Sequence, residues 1–255
     1  GVLFTPTTAR LQGELRPAIV LAHGCGGMND RRGNLVPRHR DWAERFARWG
    51  YVALHVDSFG PRGIEAICDL KERPAHPWTV RAVDQYAALD YLAGRADVDT
   101  HNVFILGWSH GGSTVTGVVW SKSLEGRGSS DPRFKAAVAF YPGCERPLRQ
   151  KGYEPTMPLL ILHGAADDWS PAAPCIALAE RLKLSRFPVQ TIVYPGAMHG
   201  FDAPAMPVRR LPNAYNPAAP GERGAHIGTH EVSRQKAIAE TRQFIERNRA
   251  PARVM

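Results

Sequence analysis

The 255-residue chain has no uninterrupted apolar run near the ~18 residues that a membrane-spanning helix needs, so a soluble protein with no membrane span is expected. It has only four cysteines, Cys25, Cys68, Cys144 and Cys175, and no CxxC spacing, which argues against a zinc site. It lacks any block of five or six like charges. The formal charge is +8, but the basic residues are spread through the chain, so a nucleic-acid partner is not expected and solvated surface charge is the plainer reading. An attraction to acidic surfaces or anionic substrates stays open beside it. Internal repeats and low-complexity segments are also missing. Hydrophobic residues at 44% and charged residues at 22% describe an ordinary globular chain. A chain of this length buries roughly three quarters of its unfolded surface and needs no metal or disulfide staple to fold.

What is present is an alternation of short apolar runs with amphipathic stretches. Strands are expected at Ala18–Ala22, Val52–Val56, Val103–Leu106, Ala136–Phe140, Leu159–Leu162 and Val189–Tyr194. They are mostly apolar throughout rather than alternating, as expected of parallel strands covered on both faces. Helices are expected over Arg38–Trp49, with Trp42, Phe46 and Trp49 on one face, and over Thr79–Ala93, with Val80, Val83, Ala87 and Tyr91 inward. A last helix, Val232–Arg247, turns Ile238, Thr241 and Ile245 to the core. This order predicts an α/β fold over residues 1–255 as one domain, with a mostly parallel central sheet and helices on both faces. Residues 203–230, rich in Pro, Gly, Ala and Arg and without periodicity, read as an irregular segment flanking the active site.

The strongest chemical signal is Gly107-Trp108-Ser109-His110-Gly111-Gly112, which follows one apolar run and precedes a helical stretch near Ser113. That strand–turn–helix setting is the one in which G-x-S-x-G forms a nucleophile elbow. Two later strands lead to Asp167 and to His199, in HGAADD and PGAMHGF. The order Ser, Asp, His, each after its own strand, is that of the α/β-hydrolases, and it brings all three to one sheet edge. Ser109 is the expected nucleophile, His199 the general base and Asp167 the supporting acid, with Asp168 as an alternative to Asp167. The oxyanion donors are assigned to the backbone N–H of His110, which follows the nucleophile, and of Cys25, in the loop His23-Gly24-Cys25-Gly26-Gly27. No cofactor or metal is called for.

Taken together, HGCGG, GWSHGG, HGAADDWSP and PGAMHGFD resemble the dienelactone hydrolase family of the α/β-hydrolase superfamily, from about Leu21 to the C-terminal helix. The resemblance implies Ser109, Asp167 and His199 as the triad. It favours Asp167 over Asp168 because the family's acid is followed four residues later by a proline, here Pro171. Two departures are visible. The family's namesakes use cysteine where this chain has Ser109, and they place a glutamate near the start of the sheet, whereas HGCGG has no carboxylate. A carboxylic ester or thioester, cleaved through an acyl-serine intermediate, is therefore the expected small-molecule substrate rather than dienelactone itself.

Other residues carry weaker expectations. Trp108 and Trp169 are candidates to line a substrate pocket, with core packing as the default for tryptophan. Arg62, near Asp57, reads first as half of a salt bridge and second as a binder of a substrate carboxylate. His23 and His163 read as buried and hydrogen-bonded. Cys144 and Cys175 both follow strands on the catalytic edge, so a disulfide between them and two separate thiols are both open; Cys25 is a remote second nucleophile. The cysteines suit either cytosolic thiols or periplasmic disulfides, and a first residue Gly1 rather than Met is compatible with a removed leader. Peptidase or acyltransferase chemistry on the same triad, and a catalytically silent binding protein, are the rival functions.

Overall fold

The computed structural model describes residues 1–7 and 13–251. In chain order its strands and helices are β1 (Val2–Phe4), β2 (Arg16–Ala22), α1 (Pro37–Arg48), β3 (Val52–Val56), α2 (Val80–Ala93), β4 (Val98–Trp108), α3 (His110–Val119), β5 (Ala137–Phe140), α4 (Glu145–Arg149), β6 (Leu159–Gly164), α5 (Ala173–Arg181), β7 (Val189–Tyr194), β8 (Arg209–Tyr215), β9 (Arg223–Ile227) and α6 (Glu231–Asn248). Among the described residues seven strands form one sheet in the order β1-β3-β2-β4-β5-β6-β7. Only β1 is antiparallel to its neighbour; the rest pair in parallel.

The central strands β2, β5 and β6 read as near-continuous apolar runs because both of their faces are buried. Ala18 and Val20 of β2 point into a core shared with α2, α3 and α5, through Leu89, Val118 and Leu178 among others. Ile19 and Leu21 point the opposite way, onto Trp42 and Phe46 of α1 and Ile238 and Ile245 of α6. Helices therefore cover both faces, as the sequence pattern predicts. The α1 stripe forms as expected, with Pro37 opening the helix and Arg45 and Arg48 in its last turn, where a cation suits the helix dipole. In α6 Ile238, Thr241 and Ile245 are all buried.

Two expectations need correction. In α2 the buried face is Arg81, Ala82, Gln85, Tyr86, Ala88, Leu89 and Leu92. Val83 and Tyr91, expected inward, are 67% and 54% exposed, so the helix is turned the other way. Its inner face carries two polar residues that find partners inside the protein. Residues 203–230 are only partly irregular: between turns and bends, β8 and β9 pair antiparallel as a separate two-stranded ribbon, with a register shift between Leu211 and Tyr215.

The chain leaves β2 for β3 on one side, then crosses back to β4 on the other side of β2. The order of strands reverses between β2 and β4, and a crevice opens outside their carboxyl ends. That crevice holds the candidate site.

Candidate active site

Ser109 occupies the single residue between β4 and α3, with φ 53° and ψ −116°, a conformation that costs a non-glycine residue energy. The backbone holds it there: its N–H donates to the Phe140 carbonyl at 2.9 Å, and its carbonyl accepts from Ser113 at 2.8 Å. The neighbouring glycines are required by contact. A Cβ on Gly111 would lie 2.0 Å from the Ala22 carbonyl oxygen, and one on Gly107 would lie 2.3 Å from that of Gly111. The serine is thus lifted out of the sheet at its central strand.

Asp167 and His199 come from the loops after β6 and β7. The two loops are tied together by the Ala166 N–H to the Ala197 carbonyl, 2.8 Å. His199 Nδ1 lies 2.8 Å from Asp167 Oδ2. Asp167 Oδ1 accepts from the backbone N–H groups of Trp169 (2.9 Å) and Ser170 (2.8 Å). Burial alone would raise the carboxyl's pKa, but the His199 imidazole and these donors prevail and hold it below the ordinary value. An ionised Asp167 accepts only, so it fixes the His199 proton on Nδ1 and leaves a lone pair on Nε2. Among the described residues Nε2 has no hydrogen-bond partner, and His199 lines the same cavity as Ser109. The Tyr141 and Trp169 rings flank the imidazole at 4.4 and 4.8 Å between centroids.

Asp168, the alternative acid, is turned away. Its carboxylate receives His226 of β9 at 2.6 Å on the exposed side, so adjacent aspartates hold different histidines.

Ser109 and His199 open on a cavity of about 440 Å³ whose wall includes Gly24, Cys25 and Gly26 of the loop after β2. Cys25 thus lines the same cavity as the serine. The His110 N–H is the first amide of α3, one of the donors a helix leaves unpaired within itself. The ribbon supplies Arg209, Leu211 and Ile227 to the cavity wall, and α1 supplies Arg38.

Of the candidate pocket residues, Trp169 lines this cavity. Trp108 does not: it is fully buried under the site, and its indole N–H donates to Asp202 at 2.8 Å. Side chains alternate along β4, so a strand that raises Ser109 sends Trp108 into the core. Arg62 is also outside the cavity. It makes the salt bridge expected of it, but with Asp84 of α2 rather than Asp57, through bonds of 2.7 and 2.9 Å, and both groups are committed. Cys25 is no second nucleophile, because it forms a disulfide with Cys68; Cys144 and Cys175 form another. His23 is buried, with Nδ1 on the Gly24 carbonyl and Nε2 accepting from Ser58 N–H. His163 is likewise buried, with Nδ1 3.3 Å from the Gly164 carbonyl.

Two groups had no signal in the sequence. Asp202, fully buried, accepts from Trp42, Trp108 and Tyr141, and Tyr141 in turn accepts from Arg38 at 2.9 Å. Arg81, also fully buried, donates to the His23 carbonyl and to His110 Nδ1, each at 2.6 Å. Both sit beneath the site and tie its loops to the helices.

The chain matches the Dienelactone hydrolase family over residues 1–247. None of the curated proteins matches it. Solved structures similar to it include Thermogutta terrifontis esterase 2, phosphoramylated by tabun (22% identity, TM-score 0.64, covering 98% of this chain and 90% of that one). The same esterase phosphorylated by paraoxon gives 20% identity and a TM-score of 0.65, covering 98% and 89%. A candidate dienelactone hydrolase from Klebsiella pneumoniae subsp. pneumoniae MGH 78578 gives 19% identity and a TM-score of 0.63, covering 95% and 90%. The sheet order, the flanking helices and these likenesses give the α/β-hydrolase fold, and the match over nearly the whole chain places the protein in the dienelactone hydrolase family, a hydrolase acting on ester bonds.

Proposed function

We propose that the protein cleaves a carboxylic ester or thioester through an acyl-serine intermediate, with Ser109 as nucleophile, His199 as general base and acid, and Asp167 as its support. The observation that carries this reading is the buried Asp167–His199 pair: its histidine, with Nε2 unpaired among the described residues, lines one cavity with a serine held at φ 53°. Serine is a weak nucleophile at neutral pH, so Nε2 takes its proton as Oγ attacks the carbonyl carbon. The imidazolium is stabilised by Asp167 and returns the proton to the departing alcohol or thiol. The Cys25 and His110 amides receive the negative charge on the carbonyl oxygen; such donors are typically worth about 2.7–4 kcal/mol each on removal. Water then repeats the sequence to release the acid. A cavity of about 440 Å³ suits a small substrate.

Hydrolysis of a p-nitrophenyl ester series by the wild type and by Ser109→Ala tests this. Activity that vanishes with Ser109, together with one covalent adduct of paraoxon on the Ser109 peptide, supports the reading. Activity that survives in Ser109→Ala overturns it. A wild type that takes the adduct but turns over no simple ester moves weight to a peptidase or acyltransferase. One that neither reacts nor turns over points to a silent binding protein.

Residues 1–255 act as one unit in this reading, with the β8–β9 ribbon as a wall of its pocket. The two disulfides support an oxidising compartment such as a periplasm, since disulfides of this kind are rare in the cytosol. Cell fractionation with thiol trapping of the native protein checks it; free thiols in the cytosolic fraction would argue the opposite.

A further inference from the structure

The two disulfides differ in place and access. Cys144 and Cys175 are fully buried in the core beside α5. Cys25 and Cys68 both line the active-site cavity, and Cys68 is only partly buried. The walls they join are built from loops rather than from the main sheet.

The Cys25–Cys68 bond lies where three such walls meet. Beside it the Ile67 N–H donates to the Cys25 carbonyl at 2.9 Å, a second tether between the loop after β2 and the segment 63–79. The Cys68 carbonyl accepts from the Tyr215 N–H of the ribbon at 2.9 Å. The Tyr215 carbonyl accepts from the Trp169 indole at 2.8 Å, and Trp169 packs on His199. Cys25, Phe59, Ile67, Trp169 and Ile227 share a small apolar cluster of their own, apart from the two cores on the sheet.

We propose that the Cys25–Cys68 disulfide is a positioning element of the reaction: it braces the loop that presents the Cys25 amide to the oxyanion, so that reducing it slows turnover while the protein stays folded. The inference rests on the acyl-serine reading. A dithiol reagent supplies the reduction in balance. One of its thiolates attacks Cys68 Sγ, the S–S bond breaks, and Cys25 leaves as a thiolate that takes a proton. The reagent's second thiol then closes on the mixed disulfide, releasing the Cys68 thiol and a cyclic oxidised reagent. The buried Cys144–Cys175 bond is out of the reagent's reach in the native protein.

The test is native treatment with dithiothreitol. Activity is assayed directly, and aliquots are alkylated and peptide-mapped to show which bond has opened. The expected result is labelling of Cys25 and Cys68 alone, with kcat down about tenfold or more and KM changed less than about threefold. Affinity for a trifluoromethyl ketone, which forms a tetrahedral oxyanion adduct on serine, falls in step with kcat/KM, and reoxidation restores both. The double variant Cys25→Ser/Cys68→Ser, whose backbone amide is retained, behaves like the reduced enzyme and supplies the same comparison should the bond resist the reagent. A kcat within about twofold of the oxidised enzyme overturns the proposal, whatever the chemistry of the serine. So does a loss of activity matched by loss of near-ultraviolet circular dichroism, which would make the bond merely structural. Ser109→Ala separates the two readings: inactive in both redox states it leaves the serine mechanism standing, and active in either it removes that mechanism rather than the brace alone.

Discussion

Arg81 Nη1 donates to Nδ1 of His110 across 2.6 Å inside a fully buried environment, and its Nη2 donates to the His23 carbonyl at the same distance. A guanidinium on α2 thereby joins the end of β2 to the residue that follows the nucleophile, the two segments that carry the proposed oxyanion donors. Burial lowers the Arg81 pKa to about 9, which still leaves it charged at neutral pH. Because arginine only donates, the His110 proton must sit on Nε2.

Removing that guanidinium strands two buried acceptors while relieving one buried charge. The first effect costs roughly 1–3 kcal/mol per acceptor, so Arg81→Met is expected to lower stability by about 2–4 kcal/mol in urea unfolding after the offset. It should also lower kcat under conditions where the variant is folded. Unchanged stability and turnover would show that the brace is idle.

Asp167 and Asp168 offer a direct comparison of neighbours. Asp167→Asn removes the acceptor that fixes His199, and a fall in kcat on the order of 10³–10⁴ is expected. Asp168→Asn breaks only the exposed contact with His226 and should leave kcat within about threefold. Circular dichroism of both variants guards against misfolding. Equal losses would contradict the division of labour between the two pairs.

Acid should destabilise the fold in two stages. Burial holds His55 neutral, with its pKa lowered to about 3, and burial with Arg81 nearby lowers His23 and His110 well below 6.5. Below pH 6.5 the unfolded chain binds protons at these histidines and the folded one does not. Each such group therefore removes about 1.4 kcal/mol of stability per pH unit until its folded pKa is reached. Asp167 has the opposite charge but the same direction of loss. Its folded pKa is depressed, so its contribution is full above the ordinary value of 3.8 and disappears as pH falls through the lower folded value. Denaturant midpoints from pH 8 to pH 3 should drop from about 6.5 downward, and His55→Phe should flatten that slope by roughly one proton. A midpoint independent of pH between 6.5 and 4.5 would count against buried neutral histidines.

The meeting of Ser109, Asp167 and His199 at one sheet edge was legible because each follows an apolar strand and the sheet brings strand ends together whatever the loops do. The same logic yields the Cys25 loop and the covered faces of β2, α1 and α6. What was not legible depends on distant partners. Arg81 and Gln85 look like the solvent side of α2, and only His110, the His23 carbonyl and each other make them inner residues. The disulfides close separations of 43 and 31 residues, and four cysteines permit three pairings that spacing alone does not rank. The β8 strand contains Pro212, which removes a ladder donor and demotes any strand reading from sequence. It is tolerated because the ribbon has only two strands, so every strand is an edge. Trp108 is the opposite case: it stands beside the nucleophile in sequence, yet strand alternation sends it beneath the cavity, where core packing is its ordinary fate.

The ribbon makes the last prediction. Leu211 and Ile227 line the cavity, and the ribbon is fastened at several points near the loops that carry Asp167 and His199. The Gly228 N–H donates to the His199 carbonyl at 3.1 Å, the Asn216 amide donates to the Asp168 carbonyl at 3.0 Å, and the Trp169 indole donates to Tyr215. A wall held this firmly should not yield to a larger side chain. Leu211→Trp fills part of a cavity of about 440 Å³ without touching Ser109, Asp167 or His199. Activity on the shortest p-nitrophenyl ester should therefore persist within a few-fold, while activity on longer acyl chains falls by about tenfold or more, the discrimination one or two methylenes confer in a tight pocket. The chain-length profile of kcat/KM for both proteins is the measurement. A uniform loss across all chain lengths would mean that the substitution disturbs the catalytic loops through the ribbon's fastenings. An unchanged profile would mean that substrate enters from another side and that the ribbon takes no part in specificity.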